Sequence, residues 1–424
     1  MAENTERLRR RISNALWGLF VGDALSMPVH WYYNRSNIDR DFDGGVTGYE
    51  TPRHPHPESF MVGMEYRPDL STAKSLGRSY DILQNHARFY DTNYSERLIE
   101  RKEREGEHGN AVPSREERYH YHHGLSAGDN TLGAQLVRVL LRSVVERETY
   151  DPEHFITRFV EHLTTPGSNR DPYFEIYIRR WFEAYTAGAD VFSAAAHQRR
   201  NWSIGSMGGV IRPLVLSLLI PQNTSMASGV ALEHQNLTHR SENVSSAVST
   251  LVPYLHALLR GGEKRRLLRD MSRQVHPPKI TGRKLFDAYK THNGPGNIPK
   301  AIMWRYHTEL QEEPINLEEL LKEEDDQSIA PDRFATACYP EHAVPLIVYL
   351  LGRHNYDPTR TLTANANVGG DNVHRGMVLG LIVGASQDKM PPSLIQGLTE
   401  YRAISAEIDA YIDLIFADPG EHRI

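Results

Sequence analysis

Asn365-Ala366-Asn367-Val368-Gly369-Gly370-Asp371-Asn372-Val373-His374-Arg375-Gly376, running on into Met377-Val378-Leu379-Gly380-Leu381-Ile382-Val383-Gly384-Ala385, is the stretch whose reading decides the fold. Two glycines and an aspartate open a helical pattern, and Gly376, Gly380 and Gly384 then recur every fourth residue along one helical face. Each glycine costs a helix interior about 1 kcal/mol relative to alanine. Three in register therefore imply the close approach of another backbone. A helix N-terminus offers free N–H groups and partial positive charge, so polar residues gathered there can hold an anion, a sugar hydroxyl or a water. Packing explains the glycines but leaves Asp371, His374 and Arg375 without a reason. This segment is the expected seat of chemistry, and Gly369, Gly370, Asn372 and Arg375 are its candidate substrate-binding residues.

Working outward, helical periodicity dominates. Thr5 to Leu25 carries Leu8, Ile12, Ala15, Leu16, Leu19 and Phe20 in one apolar stripe, with Gly18 and Gly22 four apart. Leu132–Val145, Ser241–Leu259, Val344–Leu351 and Ile404–Ile415 read the same way. Alternating strand-like runs are scarce and no solenoid period is found, so the chain reads as a compact all-α multi-helix domain. One domain spanning residues 1–424 is expected, with peripheral insertions near 95–122 and 261–330. Within them Ser95–Arg118, Gly261–Pro299 and Glu309–Gln327 have the composition of solvated excursions.

The 424 residues suffice for a large core. A net charge of -6 argues against a nucleic-acid partner. The longest apolar run, Leu214–Ile220, is far too short to span a membrane. With no signal-peptide pattern and one cysteine, Cys338, the expected compartment is the reducing cytoplasm. The oligomeric state is left open.

Four further groups of residues carry possible chemistry. Pro28 ends the first helix and delivers His30, Trp31, Tyr32 and Tyr33 into a connection, where His30 is a candidate acid, base or ligand and Trp31 a platform for a flat ring or sugar face. His120-Tyr121-His122-His123 leads to Asp129-Asn130-Thr131, good capping residues for the next helix. The absence of a cysteine cluster or a His-Glu-x-x-His spacing argues against zinc at that histidine tract. Gly205 to Pro213 is a glycine-rich turn with Arg212 beside it, though it lacks the Gly-Lys-Ser/Thr ending of a phosphate loop. Thr238-His239 is the last.

Taken in order, these pieces resemble the ADP-ribosylglycohydrolase family. The matches are Gly22-Asp23-Ala24-Leu25, Asp129-Asn130-Thr131, Gly208 to Pro213, Thr238-His239, and Gly369-Gly370-Asp371 through Gly376, Gly380, Gly384 and Ala385. The resemblance implies a compact all-α domain with a cleft where these motifs converge. It also implies hydrolysis of an N- or O-glycosidic bond at a ribose, in a small molecule or an ADP-ribosylated or ribosylated substrate, and two magnesium ions held by paired acidic motifs. This chain departs from those motifs. Gly128 stands for the hydroxyl residue, Asn130 for the second aspartate, Val373 for the late second aspartate, His374 for the threonine and His30 for the early glutamate. Magnesium gains strongly from carboxylate charge, so the expected cofactor is none, or a single magnesium on Asp129 and Asp371. The replacements are polar and titratable, which suits a working site. Asp129, Asp371, His374, His30 and Asn130 are the candidate catalytic residues, with Asp23, Trp31, Thr131, Arg212 and Arg375 binding substrate. The implied geometry brings Asp129 and Asp371 together across one pocket. The alternatives keep the scaffold but make it a lyase, isomerase or cyclase, or a non-catalytic binder.

Overall fold

The computed structural model describes residues 2–58, 66–84, 119–275, 334 and 336–417, and among them 15 helices and no strand. In chain order these are α1 (Ala2–Ser26), α2 (Arg35–Asp41), α3 (Leu70–Ser75), α4 (Leu132–Arg147), α5 (Pro152–Thr164), α6 (Ile176–Thr186), α7 (Gly208–Ser217) and α8 (Thr224–Asn236). They continue with α9 (Glu242–Leu259), α10 (Lys264–Ser272), α11 (Pro340–Arg353), α12 (Pro358–Val368), α13 (Asn372–Ala385), α14 (Pro392–Gln396) and α15 (Tyr401–Phe416). The expected all-α class is what the chain adopts.

Local chemistry sets the boundaries. Asn34, Asp69, Asp151, Asn223, Ser241, Glu263 and Asp357 each stand at an N-cap and accept a hydrogen bond from a first-turn N–H. Proline opens α5, α11, α12 and α14, where its missing N–H is no loss. α1 gives way at Met27–Val29 to a 3-10 turn containing Pro28.

α1 and α13 make the most extensive helix pair. The reason is the glycine register. A Cβ on Gly380 would lie 1.9 Å from the Gly18 carbonyl oxygen, and one on Gly22 would lie 2.1 Å from that of Gly376. The two backbones touch, and every residue of α13 is buried. One apolar cluster extends from Ile12 in α1 to Ile415 in α15, taking in α4 to α9, α11 and α13.

Of the segments expected at the periphery, 85–118 and 276–333 lie outside the described residues. The boundary at 122 is corrected: His120, Tyr121 and His122 are at most 1% exposed. Their rings pack against His30, Trp31, Tyr32 and Tyr173, so the tract belongs to the core. Gly261 onward forms α10, whose Met271 is buried and which packs against α11.

Candidate active site

The turn before α13 is built by glycine. Gly369 and Gly370 have φ of +72° and +65°, and a Cβ on either would lie within 2.2 Å of a carbonyl oxygen, that of Tyr32 or Thr336. The Trp31 N–H donates to the Gly370 carbonyl, and the Gly370 N–H donates to the Tyr32 carbonyl, both at 2.8 Å. This two-way clamp sets the connection after α1 beside the start of α13, and so sets His30 beside Asp371. Gly369 and Gly370 thus shape the site through the backbone.

From there a buried file of carboxylates and imidazoles runs through the molecule. Asp371 Oδ1 faces His30 Nε2 at 2.9 Å and His374 Nδ1 at 2.8 Å. His374 Nε2 reaches Glu175 Oε1 at 3.2 Å. In the other direction His30 Nδ1 meets His122 Nε2 at 2.7 Å, and His122 Nδ1 meets Asp171 Oδ1 at 2.9 Å. The order is Asp171, His122, His30, Asp371, His374, Glu175, and none of the six residues is more than 8% exposed. His30 and His122 stack with ring planes 10° apart, while His374 stands edge-on to His30.

Electrostatics follows from this order. Burial opposes the charge of Asp371, yet His374 and the close contact with His30 overcome it and hold the carboxyl well below its usual range. Burial likewise opposes a charged His374, but Asp371 and Glu175 outweigh it and lift that histidine well above its ordinary value. Burial pushes His30 down to about 3, the hydrogen bond to Asp371 only partly opposing it.

Beside the file lies a cavity of about 10 Å³, lined by His30, His122, Thr131, Asp171, Glu175 and His374 among others. That is room for about one water. Its apolar wall includes Ile178 and Val373. Trp31, in a left-handed conformation with φ of +64°, packs edge-on to Tyr121 and Tyr173 at the site's edge.

Several expected residues stand elsewhere. Asp129 Oδ2 accepts from the Ser126 N–H and from the exposed Arg170 guanidinium, and the group of potential ligands around Asp371 is His30 and His374. Gly128 just before Asp129 has φ of +82° and turns the chain there. The partner of the α4 N-terminus is instead Asp171, whose Oδ2 accepts the Leu132 N–H. Asp23 is fully buried, and accepts from the Thr131 hydroxyl at 2.6 Å, the Thr131 N–H and the Asn130 amide. Asp23 and Asn130 thus anchor Thr131, which alone of the three lines the cavity.

Arg212 is a core residue that donates to the Tyr177 and Thr238 hydroxyls and lies over the rings of Phe155 and Tyr177. The helix N-terminus beside it, α7, is met by a side chain of the protein itself, since a Cβ on Gly208 would lie 2.5 Å from Glu175 Oε2. Arg375, fully buried, braces the turn by donating to Asn365 Oδ1 and to the Gly369 carbonyl. Asn372 donates to the Val29 and Ala366 carbonyls. Both are scaffold.

Asp171, Glu175 and His122 were not among the expected site residues. The two acids lie in an irregular five-residue stretch, Asp171-Pro172-Tyr173-Phe174-Glu175, which shows no periodic pattern to draw attention to it. The only sequence signal for His122 is the histidine tract itself.

The donor set does not fit two magnesium ions. That pair needs several carboxylate and hydroxyl oxygens, whereas the groups that converge here are Asp371 and two imidazoles.

The family model for ADP-ribosylglycohydrolases matches residues 4–422. No curated protein matches the chain. Among solved structures, one described as an ADP-ribosylglycohydrolase-related protein complex aligns with a TM-score of 0.55 at 16% identity, over 97% of this chain and 100% of that one. The glycine-locked pair of α1 and α13, the turn that presents Asp371 and the near-complete match together place the chain in the ADP-ribosylglycohydrolase family.

Proposed function

We propose that this chain cleaves a glycosidic bond at a ribose, in a small molecule or an ADP-ribosylated substrate, without a binuclear magnesium centre. The observation that supports this reading is the pair of carboxylates, Asp171 and Glu175, that line one cavity from opposite ends of an imidazole file. Cleaving such a bond needs a base to take a proton from water and a donor to return one to the leaving atom. Glu175 is the base, its Oε1 tied to His374 and its Oε2 3.3 Å from the Ser206 hydroxyl. His374, lifted above its ordinary value and lining the same cavity, supplies the proton. Asp371 acts through the two histidines that flank it and is a positioning residue. Thr131, held by Asp23, orders the cavity wall.

The test is release of free ribose or ADP-ribose from a panel of N- and O-ribosides, with and without added magnesium. Turnover that is indifferent to magnesium and lost in Glu175→Gln is expected. Conversion of a riboside without release of free sugar would favour a lyase, isomerase or cyclase on the same scaffold. A folded protein that turns over no riboside overturns the reading.

A further inference from the structure

His30 Nε2, the Asp371 carboxylate and His374 Nδ1 converge on one buried point of the file. Asp171 accepts three hydrogen bonds, from His122 and from the Leu132 and Tyr173 N–H groups, so it is an acceptor and His122 Nδ1 must donate to it. Neutral rings carry one proton each. His30 Nδ1 then donates to His122 Nε2, and this leaves the His30 Nε2 lone pair aimed at Asp371. On the far side His374 Nε2 faces Glu175, which turns its Nδ1 to the same carboxylate. Two imidazole nitrogens and one carboxylate thus face a single buried point.

The geometry points to a single divalent cation of the zinc class, held by His30 Nε2, the Asp371 carboxylate and His374 Nδ1. These three atoms lie within 4.8 Å of one another, and all three residues are buried. Ligands at about 2.0–2.1 Å from a tetrahedral ion stand about 3.3 Å apart. The contacts of 2.8 and 2.9 Å around Asp371 need open by only about half an ångström to admit one. The remote nitrogen of each histidine is already held as a ligand's should be, by Glu175 for His374 and by His122 with Asp171 behind it for His30. Outer partners ending in a carboxylate fix the tautomer and turn the lone pair to the ion. Two imidazoles and one carboxylate suit zinc, cobalt or nickel and not magnesium. The cavity that both imidazoles line has room for one water, which leaves the fourth position open, as in catalytic rather than structural zinc sites. The replacement of an oxygen-only ligand set by histidines thus exchanges one metal preference for another. This inference stands on geometry and does not rest on the hydrolytic reading.

The experiment is calorimetric titration of the chelator-stripped full chain with zinc, and separately with magnesium. One equivalent of zinc and no magnesium is expected. His30→Gln and His374→Gln should each abolish that equivalent, and Glu175→Gln or His122→Gln should weaken it about 10- to 100-fold. Circular dichroism of each stripped variant establishes that it is folded. Should the ligand variants not fold, the wild type still decides: cobalt should give the intense visible absorption of a four-coordinate ion. No zinc uptake, uptake unchanged in both folded ligand variants, or a weak octahedral cobalt spectrum would each overturn the site. Zinc binding without riboside turnover would sink the hydrolytic reading and leave the metal site standing. Turnover unaffected by chelation, in a chain that takes no zinc, would do the opposite.

Discussion

Asp371 and Asp129 occupy equivalent-looking positions, each at the mouth of a helix, and their surroundings give them opposite consequences. Asp371 is 1% exposed, makes no side-chain cap bond to α13, and is held by two imidazoles. Removing it leaves buried histidines without their counter-charge, a change that costs about 3–5 kcal/mol when one partner of a buried pair is lost. Asp371→Ala should therefore abolish turnover and also lower stability by about 3 kcal/mol in urea unfolding. An unchanged urea midpoint would show that the carboxylate is not bound as described. Asp129 faces Ser126 and an exposed arginine. Asp129→Ala should cost about 1 kcal/mol, the net worth of a hydrogen bond to a loop N–H, and leave kcat unaltered. If it silenced the enzyme, the cavity described here would not be where the chemistry happens.

At the scale of elements, α1 against α13 is a contact between backbones. Alanine is the better helix former by about 1 kcal/mol, so Gly380→Ala would stabilise an isolated helix. Here the new methyl would lie 1.9 Å from the Gly18 oxygen and the helices must part, so a net loss of about 3 kcal/mol is expected from overpacking. Gly229 is the internal comparison. It sits on the exposed side of α8, where a methyl would find nothing within 4 Å, and Gly229→Ala should gain about 0.5–1 kcal/mol. Thermal melts of the two variants should move in opposite directions. This pairing was legible in the sequence because three glycines in register cost a helix too much unless a second backbone lies against them. The helix at 372–385 was legible for the same reason, as were those at 132–147 and 242–259, where the apolar stripe is long. The acid that meets the α4 N-terminus was not. Which acid meets a helix N-terminus depends on how Gly128 turns the chain and how Pro172 directs the next segment, and neither leaves a periodic trace. Proximity in sequence favoured Asp129, whereas the fold supplies Asp171 from 39 residues past the Leu132 N–H that it accepts.

At the scale of the whole molecule, many of the described histidines are buried. His30, His120, His162, His234, His239 and His256 all have pKa values depressed by burial, His162 and His256 to about 4. The unfolded chain protonates each near 6.5, whereas the folded chain resists until a lower pH. Their contribution to stability is therefore complete above pH 6.5 and is lost as pH falls toward 4. Each fully engaged site removes about 1.4 kcal/mol per pH unit. His374 acts in the other sense: its raised pKa stabilises the fold below pH 6.5, and that contribution is lost as pH rises through the raised value. Among the described residues seven histidines, the less buried His54 included, are lowered and one is raised, so the melting temperature should fall steeply between pH 6.5 and pH 4.5. His256 offers a clean way to check the origin, because it lies outside the cavity and, among the described residues, its ring nitrogens meet the Ser217 carbonyl and the Thr224 hydroxyl. In His256→Gln the slope of stability against pH should flatten by about one proton over that interval. A wild-type melting temperature that stays level from pH 6.5 to 4.5 would mean that these rings already share protons in the folded chain.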